Sequence, residues 1–587
     1  MASIDWLAVG GYLAIGLFIG LYFLRRASAS MENYFVAGRS LSWWVIGVAS
    51  CATFTGGSAG FVMLVFQYGL VGNFWWWPSW VVWMPLVAVF WARYWRRIGI
   101  VTTAEFIELR YSGRSAKAYR VIFAIYNCFG WAPLVTGYMT GWMVVELQPI
   151  LGWTKFQIVL ACGIVVLLYT VVSGLFGVVY NQIFQFSFYL IGASLLIPYL
   201  IGHFGGWEKT VSAAVAARGP QFMNPLPPST SITPLVLLAL FIQGFFFAAN
   251  PTAGEGSTAQ RFMAARDETH AALGQILSAF LALVLRLIPF IIYGVAAAAL
   301  FRRDTMAPEL AWGRLVTKFA PQGLLGVLVA AELAGYMAIA NAYMNWGGSF
   351  ITNDIYKRLL EPDASDRKLA WVGKLATIGI VTLSFLIALF LVDRMMSWFL
   401  YINAVMVAFI LPLAWLRFFW WRLNIWGEAA GVLLGLPLGY LVWFQLGFSQ
   451  KPFWLAFFVL FGAGWAIILI TTWLTQPESM ETLRRFYELC SPPGLWGPVA
   501  SAYPAEVGQR IQAEFRGDLL NSVLGIVLFS SMIVALNAAV ASWWTLFVGC
   551  VVTAASSGLL FIRRWRASAP LAVGRPLASP ETTGQDN

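Results

Sequence analysis

Runs of roughly 20 apolar residues recur along this chain, each long enough for a helix to cross a hydrocarbon layer of about 30 Å. About fifteen can be marked, among them 119–145 and 518–538, the first over 4–25 and the last over 542–563. Lipid offers no water to exposed peptide groups, so a chain patterned this way must close them within helices. Composition agrees: 60% of the 587 residues are hydrophobic and 11% charged, whereas a soluble domain carries about 25% charged residues because its surface is wetted. The 30 tryptophans suit the headgroup belts where amphipathic rings settle. The expected fold class is an all-α polytopic membrane protein, integral to the plasma (inner) membrane.

The net charge of +11 is spread through short loops between apolar runs. That pattern marks topology against an anionic inner leaflet and argues against a nucleic-acid partner. Lys and Arg gather on the side of Arg25-Arg26 and in the loop from Arg93 to Arg120, which places the N-terminus outside and the C-terminus in the cytoplasm. Run 4–25 carries Asp5 in front and Arg25-Arg26 behind, the charge order of a first span rather than a cleaved signal. The segment 475–517 reads as a cytoplasmic loop, with Glu481, Arg484, Arg485 and Glu488 at helical spacing, and the tail 567–587 as disordered.

Cys51, Cys128, Cys162, Cys490 and Cys550 show no paired spacing, which argues against a disulfide framework or zinc site. His203 and His270 are the only histidines, and no HExxH, GxSxG or P-loop pattern occurs. Neither an enzyme nor a cofactor other than a coupling ion is expected.

Some of the apolar runs are interrupted. Segment 41–66 centres on Ser50-Cys51-Ala52-Thr53-Phe54-Thr55-Gly56-Gly57-Ser58-Ala59-Gly60. Such small and hydroxyl residues permit close helix packing. They equally permit a helix to unwind and turn free peptide groups toward a midplane cavity. Segment 232–250 holds Gln243-Gly244 and runs into Asn250-Pro251-Thr252, a second candidate break five spans later. Segment 320–350 places Asn341 and Asn345 on one helical face, where they either line a solute pathway or bond neighbouring helices. Arg286 and Glu332 sit at membrane depth, where charge is costly and functional roles are common. They are coupling candidates, with a proton-handling role open to Glu332 and a helix-locking ion pair as the structural alternative.

Several stretches resemble the sodium:solute symporter family. They are Asn33-Tyr34-Phe35-Val36-Ala37-Gly38-Arg39-Ser40-Leu41, Thr102-Thr103-Ala104-Glu105-Phe106 with Arg110-Tyr111, the run Tyr169 to Tyr180, Gln260-Arg261-Phe262-Met263-Ala264-Ala265-Arg266, and Thr352-Asn353-Asp354-Ile355-Tyr356-Lys357-Arg358. The resemblance implies a LeuT-like core of two inverted five-helix repeats, 41–203 and 232–420. One extra helix with its loop (1–40) precedes it, and about four peripheral helices follow within 427–563. It implies symport of a small polar solute, sugar-, amino-acid- or carboxylate-like, by alternating access. From the run of polar groups at membrane depth, the candidate solute contacts are Thr53, Thr55, Gly56, Gly57, Ser58, Tyr138, Gln243, Asn341, Asn345 and Tyr401.

The resemblance also implies a Na+ seat at Cys51, Phe54, Gly335, Ala338 and Ile339. Relatives that use sodium usually carry hydroxyl side chains at the last two positions. Ala338 and Ile339 offer none, and Asn181-Gln182 stands where many members have Thr-Asp, so Gln182 joins the coupling candidates. A hard cation seeks about five or six oxygens, so sodium coupling is expected to be weakened, moved or lost. A proton-coupled or uncoupled carrier and a solute sensor on the same fold are the alternatives. The expected partners are a small-molecule solute and membrane lipid.

Overall fold

A computed structural model of the protein describes residues 1–27, 36–71, 77–170, 175–226, 233–249, 256–391 and 395–567. Among these residues it is helical, without strands, and two isolated bridges, Leu41 with Ala265 and Trp420 with Leu495, tie loops together. Eleven helices among the described residues are long and apolar enough to cross a bilayer.

In chain order, α1 is Ser3–Ala27. The next run is two pieces, α2 (Trp43–Ala52) and α3 (Ser58–Tyr68). Helices α4 (77–98), α5 (Gly113–Leu151), α6 (Lys155–Thr170) and α7 (Leu175–Leu195) follow. Then come α8 (Pro234–Phe247) and the short α9 (Ser257–Met263). Next are α10 (Glu268–Leu300), α11 (Leu324–Leu360), α12 (Asp366–Phe390) and α13 (395–419). The periphery comprises α14 (Ile425–Gln445), α15 (Phe453–Leu474), α16 (Met480–Cys490), α17 (Ala505–Val540) and α18 (Trp544–Ala567).

Small residues let these helices approach closely, as membrane packing requires. A Cβ built on Gly274 of α10 would lie 2.7 Å from Ile46 of α2, and one on Gly47 would meet Leu277 at the same distance. Helix α1 is pinned to the start of α11, where the Asp5 carboxylate accepts from the backbone N–H of Gly323 at 2.7 Å and of Gly326 at 3.0 Å. A carboxylate at a helix N-terminus satisfies orphan donors and the helix dipole together.

The structure lengthens several expected runs. Helix α17 begins at Ala505, not at 518, because its polar first turns find partners. Glu514 and Asp518 close on Arg93 of α4, the latter at 2.9 Å, while Glu268 takes Arg97 at 3.0 Å. Glu481, Arg484, Arg485 and Glu488 do fall on a helix, α16, capped by the Ser479 hydroxyl accepting from Thr482 N–H. Asn33 to Phe35, residues 171–174, the candidate break expected at Asn250-Pro251-Thr252 and the tail from 568 onward lie outside the described residues.

A broken helix beside a central cavity

Helix α2 stops at Ala52 because its last carbonyls are taken locally. The hydroxyl of Thr53 donates to Ser50 O at 2.7 Å and that of Thr55 to Ala52 O at 2.6 Å. The N–H of Phe54 closes on Cys51 O at 2.9 Å. Gly57 then turns the chain at φ +86°, ψ 40°, a left-handed conformation that costs little only without a Cβ. Helix α3 restarts at Ser58 with its first N–H groups free of helical partners. Helix α11 crosses this break at Gly335, where a Cβ would stand 3.1 Å from Gly56 N and Thr55 C.

Beside the break lies a cavity of about 150 Å³. The break lends it Thr53, Phe54, Gly56 and Gly57; α5 adds Tyr138, Met139 and Trp142, and α11 adds Ile339 and Tyr343. Phe61, Trp80 and Phe247 complete aromatic walls, with Ser257 and Asn403 as further polar points. No charged side chain is among the described residues that line it.

Of the sequence-derived solute contacts, the structure therefore gathers Thr53, Gly56, Gly57 and Tyr138. Thr55 is turned to its own helix end, and Ser58 lies behind the cavity with its hydroxyl 2.8 Å from that of Tyr189. Gln243, Asn341 and Asn345 are buried away from the lining. Tyr401 donates to Leu436 O at 3.1 Å, toward the periphery. Ser257, Tyr343 and Asn403 also line the cavity without being sequence candidates: Tyr343 and Asn403 are single polar residues inside apolar runs, and Ser257 lies in a polar, glycine-bearing stretch between two runs, where nothing local points to a cavity.

The implied sodium seat offers few oxygens. Cys51 O already accepts from Phe54 N–H, and Ala338 O accepts from the Gln182 amide at 2.9 Å. The other end of Gln182 accepts from Arg261 at 2.9 Å. A guanidinium thus stands within one amide of the seat, and Ala338 and Ile339 carry no side-chain oxygen, which leaves the seat the backbone carbonyls of Cys51, Phe54 and Gly335. Three carbonyls fall short of the roughly five or six oxygens that a hard cation seeks.

The membrane-depth charges do not pair as a locked Arg–Glu bridge. Arg286 lies over the rings of Phe61 at 4.5 Å and Trp80 at 5.6 Å, a cation–π seat behind the aromatic wall. Glu332 instead meets a second carboxyl, Glu146 of α5.

The sequence profile described as "Sodium:solute symporter family" matches residues 34–435. The chain is 26% identical to the sodium/glucose cotransporter of Vibrio parahaemolyticus over 74% of its length and 84% of that protein. It is 26% identical to the sodium/glucose cotransporter 2 of Rattus norvegicus over 65% of its length, spanning 62% of the rat protein. The human sodium/myo-inositol cotransporter matches at 26% over 74% of this chain and 66% of that one. A solved Na+-coupled sialic acid symporter, substrate-bound and outward-open, superposes with a TM-score of 0.67 at 20% identity, covering 81% of this chain and 99% of that one. The fold is accordingly the LeuT-like one expected, and the chain, a membrane transporter and not an enzyme, belongs to the sodium:solute symporter family.

Proposed function

We propose that this protein is an alternating-access carrier for a small, polar, uncharged solute of the sugar or polyol kind. The observation that carries this reading is the cavity at the break in α2–α3. Bare peptide groups and a few hydroxyls can bond hydroxyls of a solute, while Trp80, Trp142 and Phe54 offer flat faces to its C–H groups. An uncharged lining disfavours a polyanion. Glucose and myo-inositol appear in the names of three relatives, and their chemistry suits this lining. Thr53, Gly56, Gly57 and Tyr138 are the proposed solute contacts, with Ser257, Tyr343 and Asn403 added. The two inverted repeats are taken as 41–203 and 232–420, with the N-terminus outside.

Sodium is not required in this reading, because Ala338 and Ile339 lack side-chain oxygens and the Gln182 amide donates to Ala338 O. Proteoliposomes preloaded with D-glucose or myo-inositol should accumulate labelled solute by counterflow. Binding without counterflow would make the protein a sensor; neither binding nor counterflow with either compound would reject the solute class. Replacing sodium by choline is expected to leave uptake unchanged. A steep sodium dependence would show that the ion finds ligands elsewhere.

A further inference from the structure

Away from the cavity wall, two acidic side chains meet inside the protein. Glu146 of α5 and Glu332 of α11 are 0% and 2% exposed, and their carboxyl groups are within hydrogen-bonding reach of one another. Both are aimed at the first turn of α3. Glu146 Oε1 accepts from Ala59 N–H at 3.0 Å, and Glu332 faces the backbone and hydroxyl of Ser58. The Oε2 atom of each has no hydrogen-bond donor among the described residues. The other titratable groups facing the pair are Tyr189 of α7, Tyr293 of α10 and Cys162 of α6. Arg286 is directed to Tyr189 and Cys51, not to either carboxyl.

Two desolvated carboxylates side by side, with no cation against them, repel strongly, and two acceptor oxygens facing no donor leave that repulsion unanswered. One proton resolves both defects, because a protonated carboxyl donates to its neighbour. A metal ion suits the place poorly, since the N–H groups of Ser58 and Ala59 point positive ends at it. We propose that Glu146 and Glu332 share a bound proton, forming a proton site against the restart of the broken helix.

The site has leverage on the break. With the proton in place α5, α11 and α3 are held together; without it, two like charges push apart where the second half-helix begins. Proton binding is thereby linked to the position of α3. That link rests on the carrier reading above, whereas the shared proton does not.

Infrared spectroscopy tests the proton directly on the purified full-length protein in sodium-free buffer at neutral pH. The wild type should show a deuterium-sensitive carbonyl stretch of a neutral carboxyl that is missing from Glu146→Gln/Glu332→Gln. That band should fade on alkaline titration and ignore added sodium chloride. Should the double variant fold poorly, the single glutamines and carbon-13 glutamate labelling of the wild type read the same band. A wild-type spectrum without it overturns the proposal, as does a band that sodium chloride abolishes at constant pH, which would assign the site to sodium. A protein that carries neither D-glucose nor myo-inositol can still show the band, so the two readings fail separately.

Discussion

Gly57→Val is expected to lower uptake of D-glucose or myo-inositol by about tenfold or more, whereas Gly57→Asn should keep most of it. The left-handed conformation costs an L-residue about 1–2 kcal/mol, more for a β-branched one, while asparagine tolerates it. A cost of roughly 1.4 kcal/mol is a factor of ten in an equilibrium. Crowding adds little, because an added Cβ at Gly57 would find the Trp142 ring at 3.8 Å, an ordinary contact. The valine chain relieves its strain by changing the turn at Thr53–Gly57, and the peptide groups facing the cavity move with it. Equal amounts of monodisperse protein in proteoliposomes make the comparison. Full uptake by the valine variant would mean that the break plays no part in transport.

The break itself was legible because glycines and hydroxyls at bilayer depth are a poor lipid-facing surface, and Ser50 to Gly60 has little else. Which side chains face the cavity was not. Asn341 and Asn345 share a face, as read, but the cavity meets Ile339 and Tyr343, and two residues further along a helix is a rotation of about 200°. The chosen face was nearly opposite the useful one, and only the packing of α11 against the break fixes which is which. Glu332 stands out as a charge in an apolar run. Its partner does not, because the apolar run 119–145 stops one residue short of Glu146, whereas the helix continues to Leu151. A carboxylate just beyond a span reads as interfacial; one turn more of helix makes it buried. Arg286 was noticed, but aromatic rings answer its charge, and cation–π partners from Phe61 and Trp80 leave no spacing in the sequence.

A larger effect on stability is expected where α13 hands over to α14, at charges that sequence gave no reason to single out. Arg417 and Glu428 are fully buried and form a two-pronged pair, with Arg417 Nε donating to Glu428 Oε2 at 2.8 Å and Nη2 to Oε1. Tyr111 donates its hydroxyl to the same carboxylate. Beside them Arg110 donates to Arg417 O at 2.8 Å and Trp420 O at 2.9 Å. Removing one member of a buried pair leaves the other charge uncompensated, which costs about 3–5 kcal/mol, whereas removing both is often close to neutral. Arg417→Met should therefore lower the temperature at which the detergent-solubilised protein loses monodispersity far more than Arg417→Met/Glu428→Leu does. The double variant still loses the Tyr111 hydrogen bond, so recovery should be partial. The size of the rescue separates charge from shape: the methionine gives up the guanidinium packing on Phe106 and Phe123, each 5.7 Å away, in both variants alike. Equal damage in the single and double variants would mean that this corner is held by packing of the Arg417 side chain and not by compensation of Glu428.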